Sequence, residues 1–458
     1  MPPDPALSSG RFTTECNGFP PPAASRILAD SIVVGGSLSA VKLIGAVKVV
    51  LIAHVFGAGD ALDAFLVAYI VPTFFADVVA GALPSALIPA LIEVRERHGK
   101  ASLDRLQSGI TAAALVLFTS AAVVLWLASP AVLRLLGSGF DGVKREFAHK
   151  LFSWLLPLLP LGGLSVVWRA FLNARERFAA PALAPATTPL LTIVLLALAG
   201  TGATVSLLAA ACLAGMILEL AWLGLAVKRE GIALLPRWSG WDPAIRGVAM
   251  QYLPLIAVAV IAGGNLIVDQ SMAAMLGSGS VSALGYGTKL ATVLAAIAGS
   301  ALGTAVLPQF SRMIAMRDGI GLRRALRAYT GIILLAGVPL TIALIAGSGP
   351  LVRALFQRGA FTAEAAGLVT AIQRLSLMQL PLSVLLAMLL RLVSSMNANA
   401  LLVRVALLAF AVNIAADYLL MGPLGTPGIA LSSALVQLTS LICVILLIRK
   451  RLPAPTPC

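Results

Sequence analysis

Apolar residues run through this chain in stretches of about twenty or more, with glycines, prolines and charges gathered between them. The pattern predicts helices over 30–56, 62–92, 106–136, 148–172, 181–200, 203–227, 246–275, 281–312, 325–348, 363–395, 400–421 and 427–448. Crossing roughly 30 Å of hydrocarbon takes about 20 mostly apolar residues in a helix, and each stretch meets that length. The predicted fold is an all-α membrane protein of about twelve transmembrane helices.

Composition and charge sharpen this reading. Of 458 residues, 59% are hydrophobic and 11% charged, whereas a soluble globular chain has roughly 25% charged residues. The formal net charge is +14, but with no basic, aromatic-interleaved soluble domain a nucleic-acid partner is not expected. The charge follows instead from loops rich in Lys and Arg on the cytoplasmic side of a membrane. With the N-terminus placed inside, 23 Lys and Arg fall in inside loops and 6 in outside loops. That split predicts a multi-pass inner-membrane protein with both termini in the cytoplasm. Residues 1–28, rich in proline, read as a disordered cytoplasmic tail. A six-helix lobe over 29–228, a cytoplasmic linker over 229–245, a second six-helix lobe over 246–450 and a short tail over 451–458 follow.

The four cysteines, Cys16, Cys212, Cys443 and Cys458, have no metal-ligand spacing, so neither disulfide nor metal is expected. His54, His98 and His149 are far apart, with no nucleophile motif beside them, and there is no GxxxxGK[ST] loop. The reading is therefore of a transporter without covalent chemistry, cofactors or ATP hydrolysis of its own.

An internal repeat organises the chain. AHVFGAGDALDAF from Ala53 aligns with AAMLGSGSVSAL from Ala273, an offset of 220, each with a Gly-x-Gly turn between two spans. ALPSALIP from Ala82 aligns with ALGTAVLP from Ala301, an offset of 219, and Leu135, Leu136 and Gly139 align with Leu355, Phe356 and Gly359. A repeat of six spans, an even number, gives both halves the same orientation and relates them by an axis along the membrane normal. Two six-helix lobes facing a central cavity are predicted.

Ionisable groups inside spans are costly, about 2.5–3.5 kcal/mol each at the bilayer centre on insertion scales, and so face water or a partner. Lys42 and Lys48 fall in the first span, roughly 9 Å apart along its axis, and Lys289 in the eighth. These three are the candidates for binding an anion in the cavity. Structural pairing is the alternative for them, and the preferred reading for Arg374, Asp77, Asp269, Asp417 and Glu219, with Asp269 and Arg374 kept as candidate structural or coupling residues. Asp63, after the Gly57-Ala58-Gly59 turn, is kept with them as a structural or coupling candidate, with a cap on its own helix as one of two open readings.

VFGAGDALDAFLVAY from Val55, GSGSVSALGYGTKL from Gly277, ALGTAVLPQFSR from Ala301 and LFQRGAFTAEAA from Leu355 resemble the MurJ (MviN) lipid II flippases of the multidrug/oligosaccharidyl-lipid/polysaccharide exporter superfamily. The resemblance implies two lobes of six helices and a substrate that is an undecaprenyl-pyrophosphate-linked glycan, lipid II first, flipped between leaflets by alternating access. It implies membrane lipids as partners, with cell-wall or polysaccharide synthesis proteins as candidate partners. It places Lys42, Lys48 and Lys289 at the family's cavity arginines and Asp63 at the acid after the turn. Three departures stand out: the second-helix cation is missing from Phe74-Phe75-Ala76-Asp77, Thr288 replaces an acid before the eighth-helix cation, and two C-terminal helices are lacking. A flippase for an exopolysaccharide or O-antigen-type repeat unit, a cation-coupled multidrug exporter, and a non-transporting scaffold for a polysaccharide synthase are the alternatives.

Overall fold

The computed structural model describes residues 24–234, 240, 243–316, 318–396 and 399–449. The first half comprises α1 (Ala24–Phe56), α2 (Asp60–Phe74), α3 (Ala80–Leu136), α4 (Gly142–Leu155), α5 (Leu158–Ala174), α6 (Ala179–Leu183), α7 (Thr187–Ala199) and α8 (Val205–Arg229). The second comprises α9 (Pro243–Ala273), α10 (Ser280–Gly287), α11 (Lys289–Ala315), α12 (Gly319–Phe356), α13 (Ala363–Leu377), α14 (Leu380–Ser395), α15 (Asn399–Leu424) and α16 (Thr426–Arg449). Residues 1–23 of the predicted tail and the tail from 451 onward lie outside the described residues, and α1 already includes 24–28.

Eleven helical stretches among the described residues are long and apolar enough to cross a membrane. One of them, Asp60–Leu136, has 77 residues, and at 1.5 Å per residue would be about 115 Å long. It turns back at Gly99, whose φ of 73° suits a residue without Cβ, and so supplies two spans. Counted this way, the described residues supply twelve spans, as predicted.

Several predicted spans are broken helices. α4 yields to α5 at Leu156-Pro157, α13 to α14 just before Pro381, and α10 to α11 at Thr288. Three residues after Pro72, α2 widens into a π-turn over Phe75–Val79 before α3 begins. Proline removes one backbone donor and crowds the preceding turn, and widened turns of this kind recur at functional sites.

The repeat is visible in the packing. A Cβ added to Gly359 would lie 2.4 Å from the carbonyl oxygen of His54, and one added to Gly139 would lie 2.3 Å from that of Ala274. Shifting His54 and Gly139 by 220 gives Ala274 and Gly359, so each half inserts its first turn against the other half's loop in the same way. We call the end where these loops meet the turn face, and the opposite end, which holds Arg95, Arg175, Arg177, Arg229, Arg323 and Arg327, the arginine-rich face.

Buried apolar side chains form three clusters. The first takes Phe65, Leu136 and Phe152 from one half and Ala274, Tyr286, Phe356 and Phe361 from the other, so the halves share a core beneath the turn face. The second fills the first half and includes Ile245, Val248 and Tyr252 of α9; the third lies within the second half. α9 packs on both α3 and α15 and thereby joins the halves.

Candidate functional site

Lys42 and Lys48 lie on α1, and Lys289 is the first residue of α11. Lys48 is eight residues below the end of α1, and Lys289 follows the short α10, so both sit roughly 12–14 Å beneath the turn face. The break before Lys289 comes at Thr288, whose hydroxyl donates to the Leu284 carbonyl at 2.7 Å. α13 fixes that break from the side. Buried Ser376 donates to the Gly287 carbonyl at 3.1 Å, and Ile372 fills the space where a side chain at 287 would go.

Lys289 lies within electrostatic reach of both Lys42 and Lys48. Lys42 and Lys289 are exposed, Lys48 is half-buried, and none of the three forms an ion pair among the described residues. Like charges without a carboxylate at ion-pair distance among the described residues suit a multiply charged anion. Ammonium groups act there as point charges and not as the bidentate forks of guanidinium.

The π-turn adds a feature that sequence reasoning missed. Ala76 is buried against α5, where a Cβ on Gly162 would come within 2.7 Å of the alanine Cβ. A long cationic side chain at 76 has no room. Arg169, two turns further along α5, instead brings a guanidinium into reach of exposed Asp77, which also feels Lys48. Arg169 Nε is buried without a hydrogen-bond partner. Arg169 belongs to α5, within the predicted span 148–172. Its place inside the apolar run Leu158–Leu172 was the available signal.

Asp63 does not cap its own helix. Gly59 is the N-cap of α2, and no side chain caps it. The Asp63 carboxylate, wholly buried, instead accepts hydrogen bonds from the backbone N–H groups of Gly279 (2.8 Å) and Ser282 (2.9 Å), at the N-terminus of α10 in the other half. A carboxylate at a helix N-terminus satisfies orphan donors and faces the positive end of the dipole. Lys144 balances it, 2.6 Å from Asp60 and 3.5 Å from Asp63. Tyr286 donates to the Gly57 carbonyl at 3.1 Å, and Ala360 N donates to the His54 carbonyl at 2.9 Å. These bonds close the turn face between the halves.

Asp269 lies in a second buried polar group. Asn413 Nδ2 donates to Asp269 Oδ1 at 2.9 Å, and Ser432 donates to Asp417 Oδ1. The two carboxyl groups are close enough to interact directly. Asp417 Oδ2 and Asn413 Oδ1 are buried without partners. Asn413 and Asp417 are four apart on α15 and share a face. Two facing carboxyls and a free amide oxygen offer a place for a proton or a monovalent cation. Arg374 joins neither group, since its guanidinium lies beside that of Arg353 over Gly349 on α12.

Comparison with known proteins agrees with this arrangement. The family model described as lipid II flippase MurJ matches residues 52–457. A probable lipid II flippase MurJ from Rhizobium tropici is 27% identical over 418 residues, covering 88% of this chain and 77% of the relative. The lipid II flippase MurJ of Burkholderia cenocepacia is 28% identical over 344 residues, 72% of this chain and 65% of the relative. Among solved structures, a lipid II flippase MurJ in an inward closed conformation superposes with a TM-score of 0.78 at 19% identity, covering 92% of this chain and 87% of that one. An inward-facing multidrug resistance MATE transporter of the MOP superfamily gives 0.76 at 15% identity, covering 90% and 94%. With two interlocked six-helix halves, a cationic space beneath their shared seal and a family match from the end of α1 through α16, this chain belongs to the lipid II flippase MurJ family.

Proposed function

We propose that this chain moves lipid II, an undecaprenyl-pyrophosphate-linked glycan, from the inner to the outer leaflet of a bacterial inner membrane. Lys42, Lys48 and Lys289 hold the pyrophosphate. The observation that supports the reading is that Lys42 and Lys289 are exposed, and none of the three lysines is in an ion pair among the described residues, while the turn face above them is closed. Exposure of Lys42 and Lys289 beneath a closed seal requires an opening elsewhere, which the reading puts at the arginine-rich side and toward lipid. That side faces the cytoplasm by its excess of Lys and Arg, with both termini on it. The lobes are divided as 29–228 and 246–450, joined by 229–245. Proteins of cell-wall or polysaccharide synthesis supply or receive the substrate.

Transport by alternating access needs the seal to open after the substrate binds. A substrate shifts such an equilibrium only by binding one state better than the other. A pyrophosphate drawing α1 and α11 together through its lysines supplies that difference in affinity. The Asp269–Asn413–Asp417 group, which ties α9 to α15, is the coupling element through which a proton or monovalent cation biases the second half.

The test is flipping by the purified full chain in vesicles, with wild type set against Lys48→Ala and Lys289→Ala. Loss of activity in both variants at normal membrane levels supports the assignment, and full activity in both overturns it. The buried Ala76 and exposed Asp77 favour one second reading: a different glycan on the same polyprenyl pyrophosphate. The same assay run with an exopolysaccharide-type lipid-linked unit distinguishes it.

A further inference from the structure

Two arginines of the second half meet inside its membrane spans with no charge of this chain to balance them. α12 runs up to the turn face and α13 runs down from it, and the two helices pack on each other. Long helical side chains lean toward the N-terminus of their helix, so Arg353 leans down α12 while Arg374 leans up α13. Their Nη2 atoms lie 3.6 and 3.9 Å from the position that a Cβ on Gly349 would take. Gly349 is seven residues before the end of α12, so the guanidinium groups meet about 10 Å below the turn face. Both arginines are exposed, and neither is in a hydrogen bond or an ion pair among the described residues.

The first half does without this arrangement. Shifting Gly349, Arg353 and Arg374 back by 220 gives Ser129, Leu133 and Trp154. Leu133 is buried, and Trp154 is exposed with Lys150 Nζ 5.7 Å from its ring centre. The same helix pair is therefore built without cations, and packing of α12 on α13 does not call for the arginines. Tryptophan on a spanning helix marks the headgroup level, which puts the equivalent guanidinium groups at that level too.

We propose that Arg353 and Arg374 together bind the phosphodiester of an anionic phospholipid in the leaflet at the turn face, with its acyl chains descending past Ile342 and Met378. Those two exposed apolar residues lie two turns below Gly349 on α12 and one turn below Arg374 at the end of α13. An unpaired cation within a span is costly unless it reaches water or an anion, and two side by side repel. A lipid phosphate supplies the anion that both lack, and guanidinium groups take phosphate oxygens through paired N–H donors. A zwitterionic lipid brings its own cation beside the arginines, and a free phosphate gains nothing from the apolar surface below them. The cavity lysines are on α1 and α11, so this site does not depend on the transported substrate.

The experiment is native mass spectrometry of the full chain in detergent, titrated with phosphatidylglycerol or with phosphatidylcholine of the same acyl chains. The expected result is retention of phosphatidylglycerol at roughly tenfold lower concentration than phosphatidylcholine. That preference disappears in Arg353→Gln/Arg374→Gln. It disappears equally in Arg353→Leu/Arg374→Trp, which installs the residues that the first half already packs at these positions. Arg134→Gln/Lys150→Gln removes two cations from the turn-face side of the first half and leaves the preference intact. Inorganic phosphate does not displace the lipid. Equal retention of the two lipids by wild type, a preference that survives either arginine variant, an equal loss in the first-half variant, or displacement by phosphate overturns the proposal.

Discussion

Asp63 accepts a hydrogen bond from the backbone N–H of Gly279, 216 positions further along the chain, and this bond crosses from one half of the molecule to the other. Position 63 shifted by 220 is Ala283, so the second half has no equivalent carboxylate to return the bond. The seal of the turn face is therefore symmetric in its glycine packing and asymmetric in its charge. Hydrogen bonds to a charged group contribute about 1.5–3 kcal/mol each, and removing the carboxylate leaves two N–H donors unmet. Asp63→Ala is expected to shift the closed–open equilibrium toward open by roughly a hundredfold. Nitroxide labels at Val143 and Arg358, on a background without native cysteines, give a longer distance component in the variant. An unchanged distance distribution contradicts the role assigned to Asp63.

The glycines at the seal are fixed by contact. Gly57 and Gly359 have φ of 64° and 63°, and Cβ atoms there would lie 2.5 Å from the Ala360 carbonyl oxygen and 2.4 Å from that of His54. Gly57→Ala and Gly359→Ala combine a left-handed backbone cost of about 1 kcal/mol or more with a clash. Both are expected to lose transport while inserting normally. Gly99 has φ of 73° but open space around its missing Cβ, so Gly99→Ala pays the backbone cost alone and retains activity. A flipping assay at matched membrane levels compares them.

Charge type and charge position separate at the lysines. Lys48→Arg and Lys289→Arg keep the cation and are expected to sustain flipping, whereas the alanine variants abolish it. Equal activity of the alanine and arginine forms would show that charge at these positions is dispensable.

Asp77 and Arg169 are expected to act in opposite directions on substrate binding. Asp77→Asn removes an anion beside Lys48 and raises affinity for a polyprenyl pyrophosphate by several-fold. Arg169→Gln lowers it. Tryptophan-fluorescence or native-mass titration of both variants reads the sign, and a shift in the same direction in both contradicts the electrostatic account.

Most of the fold was legible in the sequence because membrane spans declare themselves by length and apolarity. The common 220-residue offset placed the turns around Gly57 and Gly277, and the loops at Gly139 and Gly359, before any packing was known. What stayed hidden were relationships across the two halves. Asp63 beside a helix start fits a local cap equally well, and only the folded chain brings α10 to it. Arg169 lies inside an apolar run, but nothing along the chain showed that α5 brings it to Asp77. Asp269 gained meaning from Asn413 and Asp417 on a helix more than 140 residues away, which periodicity along one helix does not reveal.

For the buried acids of α9 and α15, Asp269→Asn and Asp417→Asn are each expected to leave the protein in the membrane and to remove the dependence of transport on an ion gradient. Transport into vesicles with imposed proton or sodium gradients measures this. Gradient dependence equal to wild type in both variants places the coupling elsewhere.

The central claim is tested most directly in a cell depleted of its own lipid II flippase and expressing this chain, with its presence in the membrane fraction confirmed. The account predicts rescue of growth, with lipid II reaching the outer leaflet, and loss of that rescue with Lys48→Ala. Lipid II remaining in the inner leaflet despite normal expression of the wild-type chain would contradict it.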